Sequence, residues 1–166
     1  GSMSYIDSII KIPAVAISTV DAHNLSKLLK KDPNLTAKMK LSCKTLPDTL
    51  SYNVIGEIKG STFPDQVIVV GGHLDSWDIG EGAHDDGAGV VHSIEVMSLF
   101  KKLGIQPKHT IRCILYMNEE NGNRGGKTYA SFVKKNGEKH IMAVESDRGG
   151  FSPVSYTHLT LPTMLP

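Results

Sequence analysis

The segment DQVIVVGGHLDS (residues 65–76) carries an apolar run that ends in two glycines, a histidine and an aspartate. The run Val67–Val70 contains no polar residue, which is typical of a strand covered on both faces of a sheet. The overlapping stretch GGHLDSWDIGEGAHDDGAGV (residues 71–90) then gathers two histidines and five acidic residues among glycines. So much negative charge directly after a buried strand predicts that a positively charged ligand binds there.

Strand and helix patterns alternate on both sides of this segment. Further strands are predicted for SYNVIGEIKG, HTIRCILYMN and HIMAVESD, and helices for GAGVVHSIEVMSLFKKLG and GGKTYASFVKKNG. The first of these helices is expected to turn its apolar residues inward: Val90, Val91, Ile94, Met97 and Leu99. The alternation predicts an α/β fold, with a mostly parallel sheet flanked by helices.

The pattern before residue 48 is different. IPAVAIS (residues 12–18) has the composition of a buried strand, and TAKMKLSCKT (residues 36–45) alternates like a half-buried one. Between them, Val20–Lys31 has apolar residues at helical spacing, with Asp21 as the expected N-cap. At the other end, VSYTHLTLPTMLP (residues 154–166) continues neither period and looks like translated adaptor sequence.

The composition favours a small globular protein and gives no sign of a nucleic-acid-binding surface or a membrane span. The chain has 166 residues, 40% hydrophobic and 21% charged, which suits one domain, or one domain and a fragment of another. Its formal net charge of +1 does not indicate a nucleic-acid surface. No apolar run approaches the roughly 20 residues that a membrane span needs.

Acidic or imidazole side chains follow three successive predicted strands. His73 and Asp75 follow the first, Glu119 and Glu120 the second, and Asp147 the third. Ligands in open α/β sheets bind at the carboxyl ends of strands. Each cluster alone has an ordinary explanation as solvated loop residues, or for Asp147 as a salt bridge with its neighbour Arg148. Three clusters at one edge indicate a metal site.

The pair Asp85–Asp86 opens the following helix and has two interpretations. Both carboxylates are suited to cap the helix N-terminus, and either could instead bridge two cations through its two oxygens. Oxygen ligands together with imidazole suit Zn²⁺, and less specifically Co²⁺ or Mn²⁺. Two metal ions about 3.5–4 Å apart would explain the density of negative charge.

HLDSWDIGEGAHDDGAG, NEENG and ESDRGG together resemble the co-catalytic zinc exopeptidases, most closely their carboxypeptidase Q branch. The resemblance extends from about residue 12 to residue 153. It implies a three-layer, mixed, mostly parallel sheet flanked by helices, incomplete at the C-terminus, with two zinc ions at the strand ends. The implied zinc ligands are His73 and Asp147 on one ion, Glu120 on the other, and Asp85 bridging both. Glu119 is then the general base, Asp75 orients His73, and a cis peptide joins Asp85 to Asp86.

The same resemblance implies the domain organisation. Residues 1–48 resemble the tail end of a protease-associated domain with its linker, residues 49–153 a partial zinc peptidase domain, and residues 154–166 a non-native tail. One further histidine ligand is expected downstream of Asp147, and His158 is not assigned to that role because it lies in the foreign-looking tail. The chain is therefore expected to be truncated at both ends, to bind one zinc weakly and to catalyse poorly or not at all.

The full-length protein is expected to be a zinc-dependent exopeptidase that acts on peptides or dipeptides. Two alternatives remain on the same fold: a single-zinc acyltransferase of the glutaminyl cyclase type, and a non-catalytic binding domain. The sequence leaves homodimerisation and the compartment open. The family resemblance favours an extracellular, periplasmic or lysosomal location.

Overall fold

Four strands form one mixed sheet in the second part of the chain. The computed structural model describes residues 8–44, 46–148 and 150. Its strands are β1 (Val54–Ile58), β2 (Phe63–His73), β3 (His109–Tyr116) and β4 (Lys139–Glu145), and its helices are α1 (Thr19–Lys31), α2 (Gly87–Lys102) and α3 (Arg124–Asn136). The strand order is β1-β3-β2-β4. Strand β2 runs parallel to both β3 and β4, whereas β1 is antiparallel to β3. The predicted α/β fold with a mostly parallel sheet is confirmed.

Helices α2 and α3 cover opposite faces of this sheet. Val67 and Val69 of β2 pack in one buried cluster with Tyr129 and Val133 of α3. Gly72 faces the other way because side chains alternate along a strand, and there it lies against the first turn of α2. The helix–sheet–helix arrangement leaves the carboxyl ends of β2, β3 and β4 together at one edge.

Small residues form the contact between α2 and the sheet. The buried residues of α2 are Gly89 and Ser93. The expectation that Val91, Ile94 and Leu99 point inward is wrong, because they are 62%, 48% and 46% exposed. The close approach of Gly89 to Gly72 places the small-residue face of the helix on the sheet. Ile94 and Met97 border an open cavity with Cys113 and Leu115 of β3 and are not packed in a closed core.

The chain divides into two units between Thr49 and Leu50. In the first, α1 is capped by Ser18, whose hydroxyl accepts from the amide of Asp21, so Asp21 lies inside the helix instead of at its cap. The strands predicted for residues 12–18 and 36–45 do not form in the described part of this unit. A strand needs a neighbour for its main-chain hydrogen bonds, and the described residues of this unit offer none.

The proposed protease-associated origin of residues 1–48 stays a prediction. The predicted non-native tail, residues 154–166, lies outside the described residues. Within the part of the chain that the structure describes, the helices are too short or too polar to cross a membrane.

A polar network ties β1, β3 and the start of β4 together. Arg112 on β3 donates to Glu57, to Glu138 and to the hydroxyl of Tyr129. Because that hydroxyl accepts from Arg112, its own proton is available to His140 Nε2, which lies 2.6 Å away. Burial and the nearby charge of Arg112 lower the pKa of His140, although Glu138 opposes this. His140 is therefore neutral in the folded protein at neutral pH.

This network predicts that the protein loses stability as the pH falls below the ordinary His140 pKa of 6.5. Because the pKa of His140 is lower in the folded protein, the unfolded chain then binds a proton at His140 and the folded chain does not. The free energy of unfolding therefore decreases as the pH falls. Urea unfolding between about pH 7 and pH 5.5 should show a steeper fall for the wild type than for His140→Gln. Equal slopes for the wild type and His140→Gln would contradict this assignment.

Candidate metal centre

The residues predicted to bind metal come together at the carboxyl edge of the sheet. His73 is the last residue of β2, and Asp85 precedes α2. The Nε2 atom of His73 lies 3.2 Å from Asp85 Oδ1, 3.9 Å from Glu119 Oε2 and 4.0 Å from Asp147 Oδ1. Segments that follow three different strands thus meet at one imidazole nitrogen.

Three of these residues have the geometry of a metal-binding group. One ligand atom each from His73, Asp85 and Glu120 lies within 4.8 Å of the others. The fourth predicted ligand, Asp147, is at the margin of this group through its contact with His73. Two buried oxygens, Glu120 Oε1 and Asp147 Oδ1, have no hydrogen-bond partner among the described residues. Buried polar atoms without partners are costly, and a cation at this point would satisfy them.

His73 is oriented by the main chain of Asp75. Its side chain is 1% exposed, and Nδ1 lies 2.8 Å from the carbonyl oxygen of Asp75. Because a carbonyl can only accept, Nδ1 carries a proton, and in the neutral imidazole the lone pair is on Nε2. Within the described part of the chain that nitrogen is buried without a hydrogen-bond partner, and it faces the carboxylates. A histidine that ligates a metal commonly donates its other N–H to a carbonyl or carboxylate in this way.

The electrostatics of the site favour positive charge. Burial lowers the pKa of His73, but the hydrogen bond to the Asp75 carbonyl and the nearby carboxylates of Asp86, Glu119 and Asp75 raise it above its ordinary value. Burial, followed by the charge of Asp85, raises the pKa of Glu120. The contributions of the neighbouring carboxylates to both pKa shifts indicate an excess of negative charge, which a bound cation would offset.

The carboxylate of Asp75 has a different partner from the one expected. Its Oδ1 accepts from the amide of Glu119 at 2.9 Å, and its Oδ2 from the amide of Glu120 at 3.1 Å. The same carboxylate is 3.8 Å from His73 Nδ1. Asp75 therefore orients His73 through its carbonyl and holds the loop after β3 through its side chain. This loop carries both glutamates, so one residue sets the position of three candidate site residues.

The two members of the acidic pair have different partners. Asp86 is the N-cap of α2 and accepts from the amide of Gly89. Asp85 turns one oxygen to His73 and the other to the guanidinium of Arg148, whose Nε and Nη2 are each 3.1 Å from Oδ2. The peptide bond between the two aspartates is cis, as the resemblance implies.

Two residues near the site were not found from the sequence. Arg148 was considered only as a salt-bridge partner in the ordinary explanation of Asp147, but its Nε is 4.0 Å from that carboxylate and closer to Asp85. Asn53 accepts from the amide of Met117 and donates to the carbonyl of Gly125, which closes the loop that carries the glutamates. An isolated asparagine before a strand carries no local signal of such a role.

The donor set fits zinc. It consists of one imidazole nitrogen with a free lone pair and several carboxylate oxygens, the ligand types that Zn²⁺ binds in catalytic sites. A carboxylate whose two oxygens face different partners, as in Asp85, is also suited to bind two adjacent metal ions.

Comparison with known proteins identifies the family. The sequence profile described as "Peptidase family M28" matches residues 53–161. The chain belongs to Peptidase family M28. The predicted resemblance to zinc exopeptidases is thereby confirmed at the level of the family.

Individual relatives agree with this assignment. Carboxypeptidase Q from Homo sapiens is 42% identical over 153 residues, which are 92% of this chain and 32% of that protein. A probable aminopeptidase of Saccharomyces cerevisiae is 31% identical over 113 residues, 60% of this chain and 30% of that protein. The crystal structure of a Peptidase M28 precursor from Shewanella amazonensis SB2B superposes with a TM-score of 0.76 at 43% identity, covering 87% of this chain and 33% of that one. The chain thus spans about a third of the length of these relatives.

Proposed function

We propose that the full-length protein is a two-zinc exopeptidase that hydrolyses a terminal peptide bond of peptides or dipeptides. The convergence of His73, Asp85 and Glu120, with ligand atoms within 4.8 Å of one another, carries this proposal. Membership of Peptidase family M28 and similarity to carboxypeptidases Q and a probable aminopeptidase support the same reaction.

The proposed ligands divide between two ions. His73 and Asp147 would hold the first zinc, Glu120 the second, and Asp85 would bind both. When bound, zinc would polarise the carbonyl of the scissile bond and lower the pKa of a water molecule. The proton on His73 Nδ1, held by the Asp75 carbonyl, keeps Nε2 directed at the carboxylates.

Glu119 is the proposed general base. Its Oε2 lies 3.9 Å from His73 Nε2, at the edge of the ligand group, and its side chain is 36% exposed. It therefore reaches the site and remains open to a substrate. At Oε2 it would accept a proton from the attacking water and return it to the leaving amine. The Asp75 carboxylate keeps this side chain in place by holding its main-chain amide.

Zinc content tests the proposal directly. We expect elemental analysis of the full-length protein to find close to two zinc ions per chain. His73→Ala should lose at least one of them, because it removes the only imidazole that the described residues bring to the group. Asp78→Ala, an exposed acid in the same loop, should retain the full content.

Other metal contents would favour the alternative functions. A single tightly bound zinc would replace the proposal with the acyltransferase of the glutaminyl cyclase type, and no zinc would replace it with the non-catalytic binding domain.

A further inference from the structure

The buried carboxylate of Asp86 connects three separate segments of the site. Asp86 is 1% exposed. Its Oδ2 accepts from the amide of His73 at 2.9 Å, and its Oδ1 accepts from the amides of Gly89 at 3.0 Å and Arg148 at 3.3 Å. These amides belong to the end of β2, the first turn of α2 and the segment after β4. A helix cap alone requires only the bond to Gly89.

The bonds to His73 and Arg148 begin where the hydrogen bonds between β2 and β4 end. The last main-chain bond between these strands runs from the amide of Ser146 to the carbonyl of Gly71, at 2.9 Å. Beyond it, the Asp86 carboxylate lies between the two chains and accepts from both. The carboxylate thus replaces the main-chain hydrogen bonds between β2 and β4 as the link between these segments, at the point where His73 and Asp147 project into the site.

Two glycines leave the space for this carboxylate. A Cβ atom added at Gly72 would lie 2.6 Å from Asp86 Oδ2. A Cβ atom added at Gly89 would overlap Asp86 Oδ1 and the carbonyl oxygen of Ser146. Any larger residue at either position would displace the carboxylate, the helix or the segment after β4. The close backbone approach therefore depends on glycine at both positions.

We infer that Asp86 is a positioning residue that sets the spacing of His73 and Asp147, although it is not itself assigned as a metal ligand. By holding the main-chain amides of His73 and Arg148, it fixes the ends of β2 and β4 relative to each other. The part of this inference that concerns metal rests on the proposed zinc site, whereas the part that concerns the three amides does not.

Asparagine is the informative replacement for Asp86. It has nearly the same shape, but only one of its two terminal atoms accepts a hydrogen bond, so one side of the group must face an N–H donor. We expect Asp86→Asn to weaken zinc binding by about 10–100-fold, the range found when partners of metal ligands are removed. Competition with a chromophoric chelator, using zinc alone as the probe, measures this change.

Two controls separate positioning from general stability. Asp78→Asn removes an exposed acid of the same loop and should leave the zinc affinity unchanged. Val133→Ala creates a cavity in the core on the opposite face of the sheet, and should lower the unfolding temperature without changing the zinc affinity of the folded protein. An Asp86→Asn variant that is folded and binds zinc as tightly as the wild type would overturn the inference.

Amide exchange tests the three bonds without metal and without a variant. In the metal-free wild type, the amides of His73, Gly89 and Arg148 should exchange with deuterium much more slowly than those of exposed loops. Free exchange at His73 or Arg148 would overturn the inference even if Asp86→Asn failed to fold. A wild type that binds no zinc but protects these amides would refute the proposed zinc site and leave Asp86 as the tie between the segments.

Discussion

Replacing Glu119 by glutamine in the full-length protein is expected to lower the rate of peptide hydrolysis by about 10²–10⁴-fold, the usual contribution of a general base. Glutamine keeps the size of the side chain and the main-chain amide that donates to Asp75. Its amide oxygen, however, does not take up a proton near neutral pH. The variant should therefore bind substrate and fail at the proton transfer, so that kcat falls and KM changes little.

The zinc content of the Glu119→Gln variant is the necessary control. Glu119 is proposed as the base and not as a ligand, so the variant should hold as much zinc as the wild type. Asp78→Asn should retain both zinc and activity. Unchanged hydrolysis by a fully loaded Glu119→Gln enzyme would show that another group accepts the proton. A lower zinc content of the Glu119→Gln variant would instead show that Glu119 is a zinc ligand.

Truncation of Ile114 to alanine is expected to lower the free energy of unfolding by about 2–5 kcal/mol. Ile114 is fully buried at 0% exposure and lies on β3, between β1 and β2. Its side chain belongs to the cluster that joins the sheet to α3. The loss combines the transfer of the removed carbons with the cavity left among neighbours that are held by strand pairing on both sides.

Urea unfolding followed by circular dichroism measures this loss. Val54→Ala on the edge strand β1 is the matched control, because Val54 is 54% exposed and its truncation should change stability by less than about 0.5 kcal/mol. A loss below about 1 kcal/mol for Ile114→Ala would mean that the site collapses around the smaller side chain, and that the core is less rigid than its burial indicates.

The elements of the second unit could be predicted because local patterns and tertiary packing agree there. Val67–Val70 is a continuous apolar run and forms the middle of β2. Gly137, the last residue of the predicted helix GGKTYASFVKKNG, has the positive φ of 63° that ends α3. The strands predicted for residues 12–18 and 36–45 failed for the opposite reason. Their composition permits a strand, but pairing partners decide whether one forms.

For the site, the sequence determined which residues gather. His73, Glu119, Glu120 and Asp147 each follow a strand, and parallel strands bring their carboxyl ends to the same edge, so chain order alone predicted the cluster. Only the tertiary structure decided how these residues are held. The bonds of Asp75 to the amides of Glu119 and Glu120, and of Asp86 to the amide of Arg148, join segments far apart in the chain. A hydrogen bond forms only when its donor and acceptor are placed to within a few tenths of an ångström. Remote segments reach that precision only after the sheet and α2 have packed.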